Sequence, residues 1–191
     1  ERKLAGERPN LTEDDKSMIS QIEIETKEEF QLEEAAKEVN FDWPVTPERG
    51  LTAYFHDTGY QGLFGVDHYA LDVRANQGSP IYSPADGIVF NVVFDPASTR
   101  YAYIMIAHRK GVMTLYGHIS EPNVKVGDFV KRSDVIGLSG ATPHTIGAGV
   151  RTTGPHLHFE VWQDGARVDP LKYLPLDQVP MDSLPEQYLN Q

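Results

Sequence analysis

The sequence predicts a mainly β protein with a helical segment before it, and three observations support this. Residues 1–40 carry twelve Asp and Glu against six Lys and Arg, with no Gly after Gly6. From residue 41 onward, short apolar or alternating runs are separated by Gly and Pro, which is typical of strands joined by turns. With 191 residues, 40% of them hydrophobic, the chain is long enough for one domain with a core.

The acidic segment 1–40 is predicted to be a helical spacer or linker. Thr12 precedes three acidic residues, as expected of a helix N-cap followed by acids in the first turn. Charge runs usually mark exposed faces, so a solvated spacer is the simpler interpretation. Contact with a partner protein is the alternative role. Because the chain begins at Glu1 rather than Met, we interpret it as a fragment or a processed product.

The β body is expected to span residues 41–174, with a polar C-terminal tail at 175–191 lying along its surface. The sequence Arg-Lys-Gly at residues 109–111 predicts a hairpin turn between two of the strands. The predicted strands are 88–94, 103–107, 112–116, 135–138 and 157–161.

Charge and composition exclude several classes of partner. The formal net charge of -11 argues against nucleic acid or an anionic membrane, because both require a basic surface. The absence of cysteine excludes disulfides and cysteine-ligated metals. No run of about 18 apolar residues is present, so we expect no membrane insertion of this fragment.

Residues 154–161, with the sequence GPHLHFEV, are the first of two segments with the chemistry of a metal site. A strand here places His156, His158 and Glu160 on one face and the intervening apolar residues on the other. Two imidazoles about 7 Å apart along a rigid strand suit a metal ion.

The second segment is residues 65–73. As a strand, it places His68, Ala70 and Asp72 on one side, with a small residue between the two polar ones. Together with one histidine of the later strand, His68 and Asp72 provide three nitrogen and oxygen donors. Three protein ligands leave zinc a fourth position for water, which suggests catalysis rather than a structural site.

A third motif, Tyr116-Gly117-His118, completes a resemblance to a known family. The motifs His68-x-x-x-Asp72, Tyr116-Gly117-His118 and residues 154–160, in this order, strongly resemble the LytM and lysostaphin-type zinc peptidases that cut peptidoglycan peptides. The resemblance runs from about residue 43 to residue 174. It implies a curved antiparallel sheet, open and barrel-like, with the site in a groove.

The resemblance also implies roles for five side chains. His68, Asp72 and His158 would bind one Zn²⁺ per chain, and His118 and His156 would stand beside the metal as unligated catalytic residues. The substrate would be peptidoglycan peptide, which places the protein outside the cytoplasm of a bacterium, in the periplasm, envelope or medium. The partner of residues 1–40, if they have one, would then be an envelope protein.

Zinc chemistry requires a base for the water proton and a donor for the oxyanion. His118 and His156 can fill these places, and the sequence leaves their order open. We expect His156 nearer the water and His118 toward the oxyanion.

The sequence departs from the family pattern at two places. Ala70 stands where a glycine is common, and residues 141–152 are inserted where the family has a short turn. We expect this inserted loop, which includes His144 and Arg151, to border the groove and shape substrate choice. Tyr60 is a candidate substrate-binding residue, although an exposed loop tyrosine is an equally good interpretation.

The remaining polar residues have simpler interpretations. His108 is expected to be a structural imidazole with satisfied hydrogen bonds, and His56 and His144 to be loop histidines. Glu160 is expected to accept a hydrogen bond from a ligand histidine rather than to bind metal itself.

Two other functions remain open. Some relatives of this fold have lost their ligands and act as scaffolds or regulators of wall enzymes, and an autoinhibited domain would look the same in sequence. Sugar-transport phosphocarrier domains share a related β fold with paired histidines, but Asp72 as a third ligand argues against that function.

Overall fold

The computed structural model describes Thr12, residues 16–18 and residues 39–189. Residues 16–18 are helical, and the Lys16 N–H donates to the Thr12 carbonyl at 3.1 Å. The rest of the predicted acidic spacer lies outside the described residues. Among the described residues, no helix is long and apolar enough to cross a bilayer.

The described chain forms short strands, one short α-helix and several single 3-10 turns. The turns are Pro47–Arg49, Pro170–Lys172, Leu176–Gln178, Met181–Ser183 and Glu186–Tyr188. The larger elements are β1 Leu51–Ala53, α1 Thr58–Phe64, β2 Leu71–Arg74, β3 Pro80–Tyr82, β4 Gly87–Val93, β5 Tyr103–Ala107, β6 Val112–Gly117, β7 Ile119–Pro122, β8 Phe129–Val130, β9 Val135–Ser139, β10 His156–Gln163 and β11 Ala166–Val168.

These strands form two antiparallel sheets. The larger one has the order β1-β2-β10-β6-β5-β4-β8, with β11 also paired to β10, and the smaller one has the order β3-β9-β7. The larger sheet is open, with β1 and β8 as its end strands. The predicted mainly β, antiparallel fold is therefore confirmed, and the five predicted strands correspond to β4, β5, β6, β9 and β10.

The predicted hairpin joins β5 to β6. Lys110 and Gly111 have φ angles of 58° and 67°, in the left-handed region that two-residue hairpin loops favour. Met105 pairs with Leu115 across this hairpin. The turn thus sets the register of β6, which ends immediately before His118.

The two faces of β10 differ as the sequence predicts. Leu157, Phe159 and Val161 are fully buried in the main core. On the opposite face, Trp162 joins a smaller apolar cluster with residues of β4, β5 and β6. The polar side chains that precede it on this face, His156, His158 and Glu160, are buried as well.

The prediction of a strand across residues 65–73 is wrong in its first half. β2 begins only at Leu71, after helix α1 has ended at Gly65 with φ 69°. On β10, Phe159 pairs with Leu71, but Val161 pairs with Val168 of β11. Because β11 occupies this edge of β10, residues before Leu71 have no strand to pair with there, and His68 lies in the preceding loop.

The C-terminal segment packs against the β body as far as it is described. Val179 and Tyr188 are buried in the main core, and the Tyr188 hydroxyl donates to Asp169 at 2.7 Å. The Trp43 indole N–H donates to the Pro175 carbonyl at 2.9 Å. The division of the chain at residue 174 stays a prediction, and these contacts tie residues 175–189 to the body.

Candidate metal centre

Three neighbouring strands bring the predicted site residues together. β2 and β6 both pair with β10, one on each edge. In this register His158 lies opposite Asp72 on one side and Gly117 on the other. Since His118 follows Gly117 directly, segments about 40 and 90 residues apart in the chain meet at one place on the sheet.

His68, Asp72 and His158 form a compact group of possible metal ligands. One donor atom from each residue lies within 4.8 Å of the others. His158 Nδ1 is 2.9 Å and His68 Nε2 is 3.2 Å from the same oxygen, Asp72 Oδ1. All three residues are buried, so the donors face a common space away from bulk water.

The hydrogen bonds of His68 orient it as a ligand. Its Nδ1 lies 2.9 Å from the Tyr54 carbonyl oxygen, to which it can only donate. This bond leaves the lone pair on Nε2, and Nε2 is buried without a hydrogen-bond partner among the described residues. A buried, unsatisfied imidazole nitrogen beside a carboxylate is the donor that a divalent cation requires, so these residues fit a metal ion.

The charges of this group favour a cation. Burial raises the pKa of the Asp72 carboxyl, but His156, His68 and His158 outweigh that effect and hold the pKa well below its ordinary value. Burial lowers the pKa of His158, but Asp72 and Glu160 outweigh it and raise the pKa to about 9. The carboxylates of Asp72 and Glu160 therefore favour positive charge at this place, which a bound cation would supply.

Glu160 contacts His158 on the side of the ring that faces away from Asp72. Its Oε1 lies 3.2 Å from His158 Nε2, while Oε2 accepts hydrogen bonds from the Trp162 indole at 3.0 Å and from Arg167 Nε at 2.8 Å. The Arg167 guanidinium also stacks 4.1 Å from the Trp162 ring. This arrangement agrees with the expectation that Glu160 accepts a bond from a ligand histidine, and it leaves Nδ1 of His158 facing Asp72.

His118 and His156 lie next to this group, outside the three-residue set. Their ring centroids are 4.7 Å apart, and His118 is 5.7 Å from His158. His118 Nδ1 donates to the Ala148 carbonyl at 2.7 Å, and His156 Nδ1 donates to the Gly154 carbonyl at 2.8 Å. Both rings therefore keep an Nε2 lone pair, and that of His156 lies 3.6 Å from Asp72 Oδ2.

The inserted loop and a tyrosine that the sequence did not single out also shape the site. Ala148, whose carbonyl accepts the hydrogen bond from His118, belongs to the inserted residues 141–152. The Tyr101 ring meets His118 edge-on at 4.9 Å. A Cβ at Gly117 would lie 2.0 Å from the Tyr101 hydroxyl, so a glycine is required there. Tyr101 lies just before β5, outside the three motifs, and only this pairing with Gly117 identifies it.

Tyr60 lies on α1 rather than in a loop. Asp57 caps this helix by accepting a bond from the Tyr60 N–H at 3.0 Å. The Tyr60 ring stacks on His68, with centroids 4.2 Å apart and planes at 29°. Tyr60 therefore contacts a candidate ligand and faces the groove, as a substrate-binding residue would.

The three other histidines follow the simpler interpretations. His108 Nδ1 donates to the Asp86 carbonyl at 2.9 Å, and its Nε2 lies 2.8 Å from Thr114 Oγ1. His56 and His144 are exposed and have positive φ angles of 57° and 65°, as loop residues do. None of the three belongs to the metal group found among the described residues.

A groove of about 420 Å³ opens from the metal group. Asp72 and His156 line one end, and α1 contributes Tyr60, Leu63 and Phe64. Residues 151–155, which include the last residues of the inserted loop, form another wall, in agreement with the expectation that this loop borders the groove. The groove also contains Arg151 of the inserted loop, together with Arg49 and Arg74, which the sequence motifs did not reveal.

Comparison with known proteins agrees with this geometry. Peptidase family M23 matches residues 66–170. An uncharacterized metalloprotease of Haemophilus influenzae is 39% identical over 104 residues, which are 54% of this chain and 20% of that protein. The peptidoglycan DD-endopeptidase ShyB of Vibrio cholerae is 39% identical over 126 residues, which are 65% of this chain and 28% of that protein.

The solved structure of a zinc containing peptidase from Vibrio cholerae is similar with a TM-score of 0.58 at 35% identity, over 71% of this chain and 41% of that chain. This chain thus spans less than half the length of each of these three proteins. The resemblance that rests on the three motifs is confirmed. Since the family match covers more than half of the sequence, the chain belongs to peptidase family M23.

Proposed function

We propose that this chain is a zinc-dependent endopeptidase that hydrolyses peptide crosslinks or bridges of bacterial peptidoglycan. His68, Asp72 and His158 would hold one zinc ion, with His118 and His156 as catalytic residues and Tyr60 on the substrate side. When bound there, zinc would make water nucleophilic near neutral pH and polarise a peptide carbonyl.

One observation carries this proposal more than any other. Three metal donors lie together beside two further imidazoles, and Asp72 and His156 of this set line the adjoining groove. Among the described residues, His68 Nε2 and His156 Nε2 are buried without hydrogen-bond partners. Buried polar atoms are otherwise nearly always satisfied. A metal ion and a polar substrate would satisfy both atoms, whereas a purely structural cluster would leave them unpaired.

The hydrogen bonds leave both of the other imidazoles able to act on the water and the substrate. His118 has its Nδ1 bonded to a carbonyl and keeps an Nε2 lone pair, so it can accept the proton of water. His156 likewise has its Nδ1 bonded to a carbonyl, and its Nε2 lies 3.6 Å from Asp72 Oδ2. Either ring could therefore serve as the base, and the other would face the developing oxyanion.

The substrate and the location follow from the named relatives. ShyB and ShyA of Vibrio cholerae are named peptidoglycan DD-endopeptidases, and this chain is 39% and 37% identical to them over the matched parts. Peptidoglycan lies outside the cytoplasmic membrane, so we propose an extracytoplasmic site of action.

Digestion of purified peptidoglycan tests the function. Walls of defined crosslink type are incubated with the zinc-loaded protein, and the released fragments are weighed by mass spectrometry. We expect crosslinked dimers to be converted to monomers, with the mass gain of one water per bond. The His68→Ala variant is the control, and it should leave the dimers intact.

The same experiment separates the enzyme from a scaffold or regulator of wall enzymes. A protein that binds zinc but leaves every wall type uncut, both as the full chain and as a version starting near residue 41, would support the scaffold. Cleavage only by the shorter version would indicate that the acidic segment inhibits the domain.

A further inference from the structure

The groove next to the metal group carries a local positive charge on an otherwise acidic protein. Its lining includes Arg49, Arg74 and Arg151, whereas the formal charge of the chain is -11. Among the residues that the structure describes, the acidic ones in this lining are Asp57 and Asp72. Asp72 belongs to the metal group, so Asp57 alone is available to balance three guanidinium groups.

Asp57 is engaged elsewhere. One of its oxygens accepts from the Tyr60 N–H at 3.0 Å and the other from the Tyr54 N–H at 3.3 Å, so its carboxylate caps α1 and closes the turn before it. Within residues 39–189, no ion pair involves Arg49, Arg74 or Arg151. Arg49 donates to an amide oxygen, that of Asn76, and keeps its full charge.

Arg74 is close to the reacting end of the groove. It follows Asp72 by two residues in β2, so the two side chains leave the same face of the strand about 7 Å apart. It also pairs with His156 across the strands. One extended peptide residue spans about 3.5 Å, so a group held by Arg74 would lie within one or two residues of a bond placed at the metal group.

We propose that this arginine-lined groove binds a free carboxylate of the substrate, borne by a residue next to the hydrolysed bond. The inference rests on the proposed peptidase function and narrows its substrate class. Guanidinium groups match carboxylates in bidentate geometry, and an unpaired arginine cluster in a groove favours an anionic ligand. The protein would thus select anionic peptide crosslinks over uncharged bridges such as oligoglycine.

A pair of matched substrates tests this selection. One is a crosslinked peptide dimer with its free carboxylates, and the other is the same dimer with those carboxylates converted to amides. We expect the zinc-loaded protein to cleave the free acid with a kcat/KM at least about tenfold higher than that for the amide. Hydrogen bonds to a charged group contribute enough free energy for this difference. The ratio of kcat/KM for the free acid to that for the amide should fall as the salt concentration is raised, because salt screens charges in a groove that is open to solvent.

Arginine variants locate the effect. Arg74→Gln and Arg151→Gln should each reduce the ratio of the two kcat/KM values by about tenfold. Arg100→Gln is the matched control, because Arg100 is an exposed arginine outside the groove whose guanidinium bonds Ser98. It removes the same charge and should preserve the ratio. Thermal melts of each variant establish that the fold is intact.

A binding measurement makes the test independent of turnover. The Nε–H signals of the arginine side chains are followed by NMR during titration with an uncrosslinked peptide, in its free-acid and amide forms. Signals of Arg74 or Arg151 should shift with the free acid and stay unchanged with the amide.

The outcomes separate the two proposals. Equal cleavage of both dimers, or a ratio that survives in both arginine variants, would overturn the carboxylate site and leave the peptidase function standing. If neither dimer is cleaved, the peptidase function fails, and the NMR titration alone decides the carboxylate site. Shifts confined to the free acid then support it, and their absence overturns it.

Discussion

Two buried histidine sites on the larger sheet look alike in sequence and differ in chemistry. At the end of β5, His108 donates to the Asp86 carbonyl, and its other nitrogen bonds Thr114, whose hydroxyl lies 2.7 Å from that of Tyr116. At the metal group, by contrast, His68 Nε2 and His156 Nε2 are buried and have no hydrogen-bond partner within the described part of the chain. The protein thus satisfies both ring nitrogens of His108, whereas the Nε2 atoms of His68 and His156 are available to a ligand.

The difference teaches that neighbouring charge, rather than burial, decides the role of an imidazole. Burial lowers the pKa of His108 to about 4, which keeps it neutral. His158 is equally buried, yet Asp72 and Glu160 raise its pKa to about 9. The carboxylates beside His158 therefore favour a cation at the metal group, while His108, between a carbonyl and a hydroxyl, stays neutral.

Removing a metal donor should have the largest effect. His158→Ala should lower the metal content from about one ion per chain to near zero and abolish hydrolysis, because two donors remain where three are needed. His108→Gln should retain the ion. Metal analysis of both purified variants measures the bound ion. A His108→Gln variant without metal would contradict the distinction between the two histidine sites.

Removing an imidazole beside the metal should affect the rate alone. We expect His118→Ala to bind about one zinc ion and to lose about 10²- to 10⁴-fold in kcat, as loss of a general base does. Kinetics on a peptidoglycan dimer, together with the metal content of the same sample, give both values. A variant that lost its zinc would make His118 a ligand, contrary to this account.

Weakening the support of a ligand should have a smaller effect. Glu160→Gln keeps the shape of the side chain but removes the charge that faces His158, Trp162 and Arg167. We expect zinc affinity to fall about 10- to 100-fold, measured by competition with a chromogenic chelator. Gln163→Glu, a change on the same strand at a partly exposed position, is the control, and it should leave the affinity unchanged.

The structural site should respond to pH through stability. The unfolded chain keeps the His108 pKa near 6.5, while the folded state lowers it to about 4. The unfolded state therefore binds more protons in this window, and the free energy of unfolding falls as pH drops below 6.5. From pH 7 to pH 5 this loss should be about 2 kcal/mol, at about 1.4 kcal/mol per pKa unit.

His108→Gln cannot take up this proton. Urea unfolding of the wild type and the variant at both pH values measures the difference, with the metal content held the same. The variant should be less stable at pH 7, since it loses hydrogen bonds, but should lose about 2 kcal/mol less on acidification. Parallel pH curves would show that His108 does not titrate in this way.

The motifs made much of this comparison predictable from sequence. The period of two along β10 predicts that His156, His158 and Glu160 share a face, and the structure agrees. His108 was expected to be structural because it stands beside a hairpin turn outside the motifs. These predictions succeed because strand periodicity and turn chemistry are local properties of the chain.

The features that the sequence did not predict depend on pairing between distant segments. His68 lies in a loop because β11 takes the edge of β10 that a longer β2 would need. Tyr101 reaches the site only because Gly117 leaves room for its hydroxyl. Arg49 and Arg74 meet Arg151 in one groove across about 100 residues of chain. No local pattern carries this information.

Anomalous diffraction from crystals of the zinc-loaded protein, recorded at the zinc absorption edge, tests the central claim most directly. We predict one strong peak bonded to His68 Nε2, Asp72 and His158 Nδ1, with an open coordination position facing His118 and His156, and no peak at His108. A peak at a different group of residues, or an ion whose coordination is completed by protein atoms, would contradict the account.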